Sequence, residues 1–260
     1  MSGDERHTLR EMFEEVPELY DRARPSYPDE LFDDLVALAR LEPGACILEL
    51  GPGTGKATLP LAERGFEIVG VELGEGLAGV ARRNLTAFPN VEIVNERFEV
   101  WETEARFDAV IAFTAFHWID PELKYAKSAR LLRDGGSLAV VTTEHVQGAD
   151  PFFAAVQEDY DAVVPSDENR PPTQPDEVPD LSAEIEADGH FRNVAVRRYL
   201  WDAPYTADEY LAVLDTYSGH RSMPDEQRLR LYERIRRRIG DRTIRKTYLF
   251  MLNVAERTRG

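Results

Sequence analysis

The sequence predicts an α/β protein built on a doubly wound, parallel sheet. Short unbroken apolar runs such as ACILEL and FEIVGVE alternate with helical segments along the first half of the chain. Such runs are typical of strands buried on both faces, and the alternation indicates parallel strands joined by crossover helices. A glycine-rich turn, ELGPGTG, joins the end of the first strand to the helix that follows.

Seven segments are predicted as strands: ACILEL, FEIVGVE, NVEIVNERF, FDAVIAF, GSLAVVTTEH, VAVRRYLW and TIRKTYLFMLNVAE. Helical spacing of apolar residues predicts helices over LFDDLVALARL, TGKATLPLAERG, EGLAGVARRNLTAF and DPELKYAKSARLLRDGG. In the last of these, Asp120 is a candidate N-terminal cap, and Gly135 follows the expected end. Residues 1–30 are predicted to be irregular, because Pro25 and Pro28 disfavour a helix.

The pattern changes after residue 144 into helices and a loop rich in proline and acidic residues. Thr206 and Glu209 predict a capping box at the start of one helix. We predict one domain over residues 1–260, with a cofactor-binding core at 31–143. The segments 144–192 and 204–240 are expected to be insertions that could form a lid.

The composition of the chain disfavours several classes of binding partner. The 260 residues include 31 Lys and Arg against 48 Asp and Glu, a formal net charge of −17, which disfavours binding to nucleic acid. Cys46 is the one cysteine, so no internal disulfide forms, and no apolar run is long enough to span a membrane. We expect a cytoplasmic protein without a membrane partner and, since no cluster has metal-ligand spacing, without a metal. The oligomeric state is not predicted.

The glycine turn predicts a nucleoside ligand. Gly51, Gly53 and Gly55 allow a tight bend and a close approach of a ligand to the backbone at a helix N-terminus. Glu72 ends the second predicted strand, where a carboxylate can accept hydrogen bonds from the ribose hydroxyls.

The ligand is not expected to carry phosphates. Lys56 stands where the dinucleotide fingerprint GxGxxG requires its third glycine, which disfavours a nicotinamide oxidoreductase. Glu49 faces the turn, and its carboxylate would repel a pyrophosphate but favour a cation. S-adenosyl-L-methionine has a ribose, a sulfonium and an ammonium but no phosphate. Glu49 is expected either to organise the turn or to contact the ligand.

At this point the residues resemble a known family. ELGPGTG resembles the ExGxGxG motif of class I S-adenosylmethionine-dependent methyltransferases, and VGVE, FDAVIAFTAFHWID and LLRDGGSLAVVT resemble their second, fourth and fifth strand regions. The likeness covers about residues 20–145. YDRARPSYP is similar to the entry segment of small-molecule enzymes of this fold, including the trans-aconitate methyltransferase-like group.

The resemblance implies a Rossmann-like, seven-stranded sheet, mostly parallel with an antiparallel last strand and helical insertions in the C-terminal third. It implies transfer of a methyl group from S-adenosyl-L-methionine to a small-molecule acceptor by in-line displacement. A non-catalytic protein that binds the cofactor, or acts as a scaffold, is the alternative. A protein acceptor also stays open.

The resemblance also implies site residues on the cofactor side. We expect Leu73, directly after Glu72, to contact the cofactor. Arg97 and Phe98 follow the third strand, where this fold holds the adenine, although Phe98 could equally be a core residue. Phe113, at the end of the fourth strand, is expected beneath the methionine part of the cofactor.

The acceptor side is expected to be aromatic. Phe116, His117 and Trp118 would line the methyl-transfer face or else plug the top of the sheet, and His117 is the candidate base if the acceptor holds a proton. His145, after the fifth strand, is a candidate pocket residue or a loop residue.

The segment before the first core helix supplies three further candidates. Tyr20 and Tyr27 could close over the sulfonium, because aromatic faces attract cations. Arg24 could hold a carboxylate of the cofactor or the acceptor. The alternative is that this segment is an ordered surface arm.

Overall fold

The fold is a seven-stranded sheet with helices on both faces. A computed structural model describes residues 16–164 and 170–258 of the chain. The strand order is β3-β2-β1-β4-β5-β7-β6. Strands β1 to β5 pair in parallel, and β7 lies antiparallel between β5 and β6. The predicted mostly parallel sheet with an antiparallel last strand is therefore confirmed.

The strands span the following residues: β1 Cys46–Leu50, β2 Glu67–Glu72, β3 Val91–Asn95, β4 Phe107–Phe113, β5 Leu132–His145, β6 Phe191–Tyr205 and β7 Ile244–Arg257. The α-helices are α1 Pro17–Ala23, α2 Asp29–Leu38, α3 Thr58–Glu63, α4 Glu75–Asn84, α5 Lys124–Leu131, α6 Phe152–Ala155, α7 Gln157–Val163, α8 Ser182–Asp188, α9 Ala207–Leu214, α10 Ser218–Arg221 and α11 Asp225–Ile239. Short 3₁₀ turns occur at Phe116–Trp118 and Pro175–Glu177.

Both faces of the sheet are buried, which explains the unbroken apolar runs. Along β1, Ile47 packs into the cluster on one face and Leu48 into the cluster on the other. Along β4, Ile111 and Val110 divide in the same way. Successive side chains of a strand point to opposite faces, so a strand covered on both sides needs apolar residues at every position.

Three local predictions differ from the structure. The region predicted to be irregular contains α1, which ends at Ala23, just before Pro25, as expected for a chain that proline interrupts. Helix α5 begins at Lys124, because Asp120 instead closes a turn by accepting from the backbone N–H of Glu122. The same segment leaves the helix at Leu132, which already pairs with β4 as the first residue of β5.

The capping box at Thr206 is confirmed. The Thr206 hydroxyl accepts from the backbone N–H of Glu209, and the Glu209 carboxylate accepts from the backbone N–H of Thr206. This box starts α9, which packs against α1 and α11. The two segments predicted as insertions also touch each other, because α7 packs against α11. The division into one core and two insertions stays a prediction.

We expect Thr206→Ala to lower the free energy of unfolding by about 1 kcal/mol, because the first turn of α9 loses its side-chain acceptor. Urea unfolding followed by circular dichroism measures this change. Thr206→Ser keeps the hydroxyl and should retain most of the stability. Equal losses for the two variants would mean that the hydroxyl bonds contribute nothing.

Candidate functional site

Two adjoining clefts open at the carboxyl ends of the parallel strands. The first, here called the turn cleft, has a volume of about 470 Å³ and is bordered by the glycine turn, the ends of β2 and β4, and the residues after α9. The second, here called the tyrosine cleft, has a volume of about 390 Å³. Six tyrosines line it: Tyr20, Tyr27, Tyr160, Tyr210, Tyr217 and Tyr248. Doubly wound folds bind ligands at this edge of the sheet.

The Glu72 carboxylate holds the floor of the turn cleft together. One oxygen accepts from the backbone N–H of Gly53 at 2.8 Å, and the other accepts from that of Gly74 at 2.9 Å. The first bond reaches the turn after β1, and the second reaches the start of α4. Glu72 is 6% exposed, so these charge-assisted bonds lie largely out of water. The side-chain amide of Asn95 supports the same corner by donating to the backbone carbonyls of Glu72 and Leu73.

Gly51 has no room for a side chain. Its φ is +66°, and an added Cβ would lie 2.7 Å from the Cβ of Ala115 in the loop after β4. The backbone of the turn therefore touches the neighbouring loop directly. Gly55 has a packing role instead, because a Cβ there would meet Leu85, just past α4, at 3.0 Å.

Glu49 is completely buried beneath the turn. One carboxylate oxygen accepts from the Thr58 hydroxyl at 2.7 Å, and Oε1 has no hydrogen-bond partner among the described residues. Burial raises the pKa of Glu49 to about 7, and the Glu72 charge adds to this effect, although the Thr58 bond opposes it. The residue borders the tyrosine cleft, so a buried acceptor atom is available to a ligand there.

His117 and Trp118 form the aromatic wall of the turn cleft, with ring centroids 4.8 Å apart. Partial burial lowers the pKa of His117 to about 4, and the nearby Lys124 ammonium contributes. The imidazole is therefore neutral near pH 7 and a weaker base than an ordinary histidine. Phe116 points the other way and packs on Tyr125 in the core, with 3% of its surface exposed.

The backbone after β4 is strained where the two clefts meet. Thr114 has a φ of +55°, unusual for a β-branched residue. Its hydroxyl bonds to that of Thr143 at 2.8 Å and lies 3.3 Å from that of Tyr27. The Tyr27 ring packs edge-on against Phe113, with 4.9 Å between the centroids.

Arg24 connects the first helix to the residues after α9. Its guanidinium donates to the hydroxyl and the carbonyl oxygen of Thr216, at 2.8 and 2.9 Å. It also stacks on the Tyr217 ring, 4.2 Å from the centroid, and lies 5.1 Å from the ring centroid of Tyr20. Tyr20, Arg24 and Tyr217 border both clefts.

Comparisons with known proteins agree with this architecture. Residues 47–136 match the family described as "Methyltransferase domain". This stretch of the chain is therefore similar to a methyltransferase domain. The chain is 38% identical over 122 residues to an uncharacterized methyltransferase of Mycobacterium tuberculosis, over 47% of this chain and 48% of that protein. The chain therefore spans about half the length of this relative and of two further curated relatives that match equally.

A shorter stretch of the chain is 39% identical over 66 residues to ribosomal RNA small subunit methyltransferase A of Alkaliphilus oremlandii. It covers 25% of this chain and 23% of that protein.

Solved structures share the whole fold. A type II methyltransferase structure from Anaeromyxobacter dehalogenans superimposes with a TM-score of 0.63 at 24% identity, over 90% of this chain and 97% of that one. An S-adenosylmethionine-dependent methyltransferase from Thiobacillus denitrificans, in complex with S-adenosyl-L-homocysteine, superimposes with a TM-score of 0.52 at 16% identity, over 91% and 94% of the two chains. The predicted class I methyltransferase fold is confirmed, whereas membership of the trans-aconitate-like group stays a prediction.

The structure brings most of the predicted site residues to the clefts. The turn cleft is bordered by ten of them: Tyr20, Arg24, Gly51, Gly53, Glu72, Leu73, Phe98, Phe113, His117 and Trp118. The tyrosine cleft adds Tyr27, Glu49 and His145. Three predicted residues do not border either cleft: Gly55 and Phe116 are packed as described above, and Arg97 is exposed.

Sequence reasoning missed the contribution of the C-terminal third. Three of its residues border the tyrosine cleft: Tyr217 in the loop before α10, His220 on α10 and Lys246 on β7. Lys246 is 2% exposed, although lysine is rarely buried. The sequence does not single it out, because Lys246 lies in the polar stretch RKT that precedes the apolar run YLFML of β7. The sequence pattern of the strand does not predict which side chain Lys246 contacts.

No helix among the described residues is long and apolar enough to cross a membrane. Within residues 16–164 and 170–258, no group of three or more His, Cys, Asp and Glu side chains could hold a metal ion.

We expect Gly51→Ala to destabilise the chain more than Gly65→Ala, although both glycines have positive φ. Nothing lies within 4 Å of a Cβ at Gly65, so that variant carries only the backbone cost of about 1 kcal/mol. Gly51→Ala adds the clash with Ala115, for a total of about 2–4 kcal/mol in urea unfolding. The double variant Gly51→Ala with Ala115→Gly should recover the difference, and equal losses for the two single variants would contradict the close approach.

The raised pKa of Glu49 predicts a pH-dependent stability. Between its ordinary value of 4.5 and its folded value of about 7, the folded chain keeps a proton that the unfolded chain has released. The folded state binds more protons there, so the free energy of unfolding falls as the pH rises through this window and is level above it.

Glu49→Gln removes the titrating group and therefore this fall in the free energy of unfolding with rising pH. From about pH 4 to about pH 8, its unfolding free energy should rise by about 3 kcal/mol relative to the unaltered chain. Denaturant unfolding at a series of pH values measures the difference. A difference that is constant with pH would show that the Glu49 carboxyl titrates normally.

Proposed function

We propose that the chain binds S-adenosyl-L-methionine in the turn cleft and transfers its methyl group to a small-molecule acceptor in the tyrosine cleft. The observation that carries this proposal is the turn itself. Its backbone is exposed to the cleft, it is fixed by the Glu72 carboxylate, and a second carboxyl group lies beneath it. A cationic nucleoside matches this charge, whereas a pyrophosphate would be repelled.

The described residues fit such a ligand. Glu72 ends β2 at the border of the turn cleft, and its carboxylate would hold the ribose hydroxyls. Leu73 and Phe98 border the cleft on the side beyond β2 and would contact the base. The unpartnered Oε1 of Glu49 supplies a buried acceptor for a donor group of the ligand or a water.

When bound, S-adenosyl-L-methionine supplies an activated methyl group on a sulfonium. The protein's task is then to align the acceptor, bring it close and exclude water, because charge disperses during the displacement. Phe113, Thr114 and Tyr20 border both clefts, so they lie where donor and acceptor would meet. The faces of Tyr20 and Tyr27 would favour the cationic centre.

A small acceptor agrees with the dimensions and charge of the site. The tyrosine cleft, at about 390 Å³, falls within the range of small-molecule pockets. The formal net charge of −17 disfavours an RNA acceptor, although one shorter match is to a ribosomal RNA enzyme. A cytoplasmic location stays a prediction from the sequence.

The test combines calorimetry with turnover. We expect S-adenosyl-L-methionine to bind, and Glu72→Ala to weaken binding by about 10- to 100-fold, since it removes charge-assisted hydrogen bonds. Glu67→Ala, on an exposed residue at the other end of β2, is the matched control and should bind as the unaltered chain does. Labelled methyl from the cofactor should then appear in a product of a metabolite extract, identified by mass.

The outcomes separate the alternatives. Binding without turnover on small metabolites, proteins or RNA indicates a non-catalytic binding protein. Turnover on RNA or protein alone contradicts the small-molecule acceptor. Binding of NAD together with no binding of S-adenosyl-L-methionine would indicate an oxidoreductase and overturn the proposal.

A further inference from the structure

The tyrosine cleft contains a buried ammonium without a carboxylate partner. Lys246 is 2% exposed, and its Nζ donates to the Tyr217 hydroxyl oxygen at 2.8 Å. Among the described residues, no Asp or Glu forms an ion pair with it, in contrast to Lys124 and Lys127, which reach Glu184 and Glu102. A buried charge is stable only when it is paired or well hydrogen-bonded, so Lys246 needs a negative partner.

Tyr217 is the group best placed to be that partner. Its hydroxyl oxygen is the hydrogen-bond acceptor that the structure gives Lys246 among the described residues, and the Arg24 guanidinium lies over its ring. Two cations therefore flank one phenol. Ionisation of that phenol would turn an unpaired ammonium into an ion pair inside the cleft.

The position of Tyr217 connects this chemistry to methyl transfer. It borders both the turn cleft and the tyrosine cleft, whereas Lys246 borders only the second. By contrast, the two histidines expected from the sequence are poor bases here. Burial, together with a nearby lysine in each case, lowers the pKa of His117 to about 4 and that of His145 to about 3.

We propose that Tyr217 is the general base of the methyl transfer and that Lys246 is the positioning residue that stabilises its phenolate form. This proposal rests on the proposed function and adds to it that the acceptor carries a proton on its attacking atom. Tyr217 Oη takes that proton while the attacking atom bonds to the methyl carbon. The carbon–sulfur bond of the donor breaks, and its electron pair stays on sulfur. The phenol afterwards releases the proton to solvent.

The surroundings of Tyr217 support this assignment. Burial alone would raise the pKa of Tyr217, but the Lys246 and Arg24 charges and the hydrogen bonds from Lys246 and Tyr248 outweigh it, so the pKa is lowered. The titratable groups that face Tyr217 are Lys246 and Tyr248 on β7, Arg24 after α1, Tyr205 on β6, Tyr210 on α9, Tyr160 on α7 and His220 on α10. Burial lowers the pKa of His220 to about 4, with the Lys246 and Arg228 charges contributing, so this histidine is neutral near pH 7. Glu49 and Glu144 also border the tyrosine cleft, and burial raises the pKa of both.

The other tyrosines make the proposal measurable. Of the ten in the chain, eight have a pKa raised by burial: Tyr27, Tyr125, Tyr160, Tyr199, Tyr205, Tyr210, Tyr232 and Tyr248. A tyrosinate that forms below the ordinary tyrosine range in the folded chain is therefore expected to be Tyr217.

The first experiment is a spectroscopic pH titration of the full chain without any acceptor. We expect one tyrosinate absorbance step below the ordinary tyrosine range that is absent in Tyr217→Phe. Tyr210→Phe, whose ring also faces the Lys246 ammonium at 5.9 Å, is the matched control and should keep the step. Lys246→Met should move the step to higher pH, and Lys246→Arg should keep it low. No step in the unaltered chain, or an undiminished one in Tyr217→Phe, overturns the proposal.

The second experiment uses the acceptor found by the labelled-methyl assay. We expect kcat to rise with pH through the tyrosinate step, because the base must be deprotonated. Tyr217→Phe should lower kcat by about 10²- to 10⁴-fold and remove this rise. An unchanged kcat and pH profile in Tyr217→Phe, with only KM raised in Lys246→Met, would mean that Lys246 binds an anionic acceptor instead and would overturn the proposal. If no methyl transfer is found at all, the proposed function fails, while the titration still decides whether Tyr217 ionises.

Discussion

The Glu72 carboxylate is the interaction on which the rest of the site depends. It ends β2, yet its two oxygens hold backbone N–H groups from the turn after β1 and from the start of α4. One side chain thereby fixes two neighbouring strand-to-helix connections relative to each other. Because the bonds are largely buried, they are not weakened by competition with water. The shape of the turn cleft follows, since Gly51 must lie against Ala115 once the turn is held in this place.

A second constraint is the packing of the C-terminal helices over the strand ends. Arg24 ties the first helix to Thr216, and α9 packs between α1 and α11. These contacts bring Tyr217 to the border of the two clefts, where its hydroxyl oxygen accepts from Lys246 of β7. The clefts are thus built jointly from the parallel core, which supplies the turn and the carboxylates, and from the later segments, which supply the tyrosines and the buried ammonium.

The electrostatic character of the two clefts differs accordingly. Around the glycine turn lie the carboxyl groups of Glu49 and Glu72, which suit a cationic nucleoside. In the tyrosine cleft, burial weakens the basicity of the histidines, while the Lys246 and Arg24 cations favour ionisation of Tyr217. Burial disfavours the charged form of each of these side chains, and only for Tyr217 do the neighbouring cations outweigh this effect.

The sequence by itself determined the sheet, the glycine turn and Glu72, because apolar runs, glycine spacing and a strand-ending acid are local signals. It also determined the capping box at Thr206, whose two partners lie three residues apart. It misplaced the start of α5, where a side-chain turn at Asp120 competes with helix capping, and it did not find the Lys246–Tyr217 pair. Those residues lie 29 positions apart, on a strand and a loop. Only the tertiary structure decided that contact, because the orientation of helices packed over a sheet depends on interactions among many distant side chains.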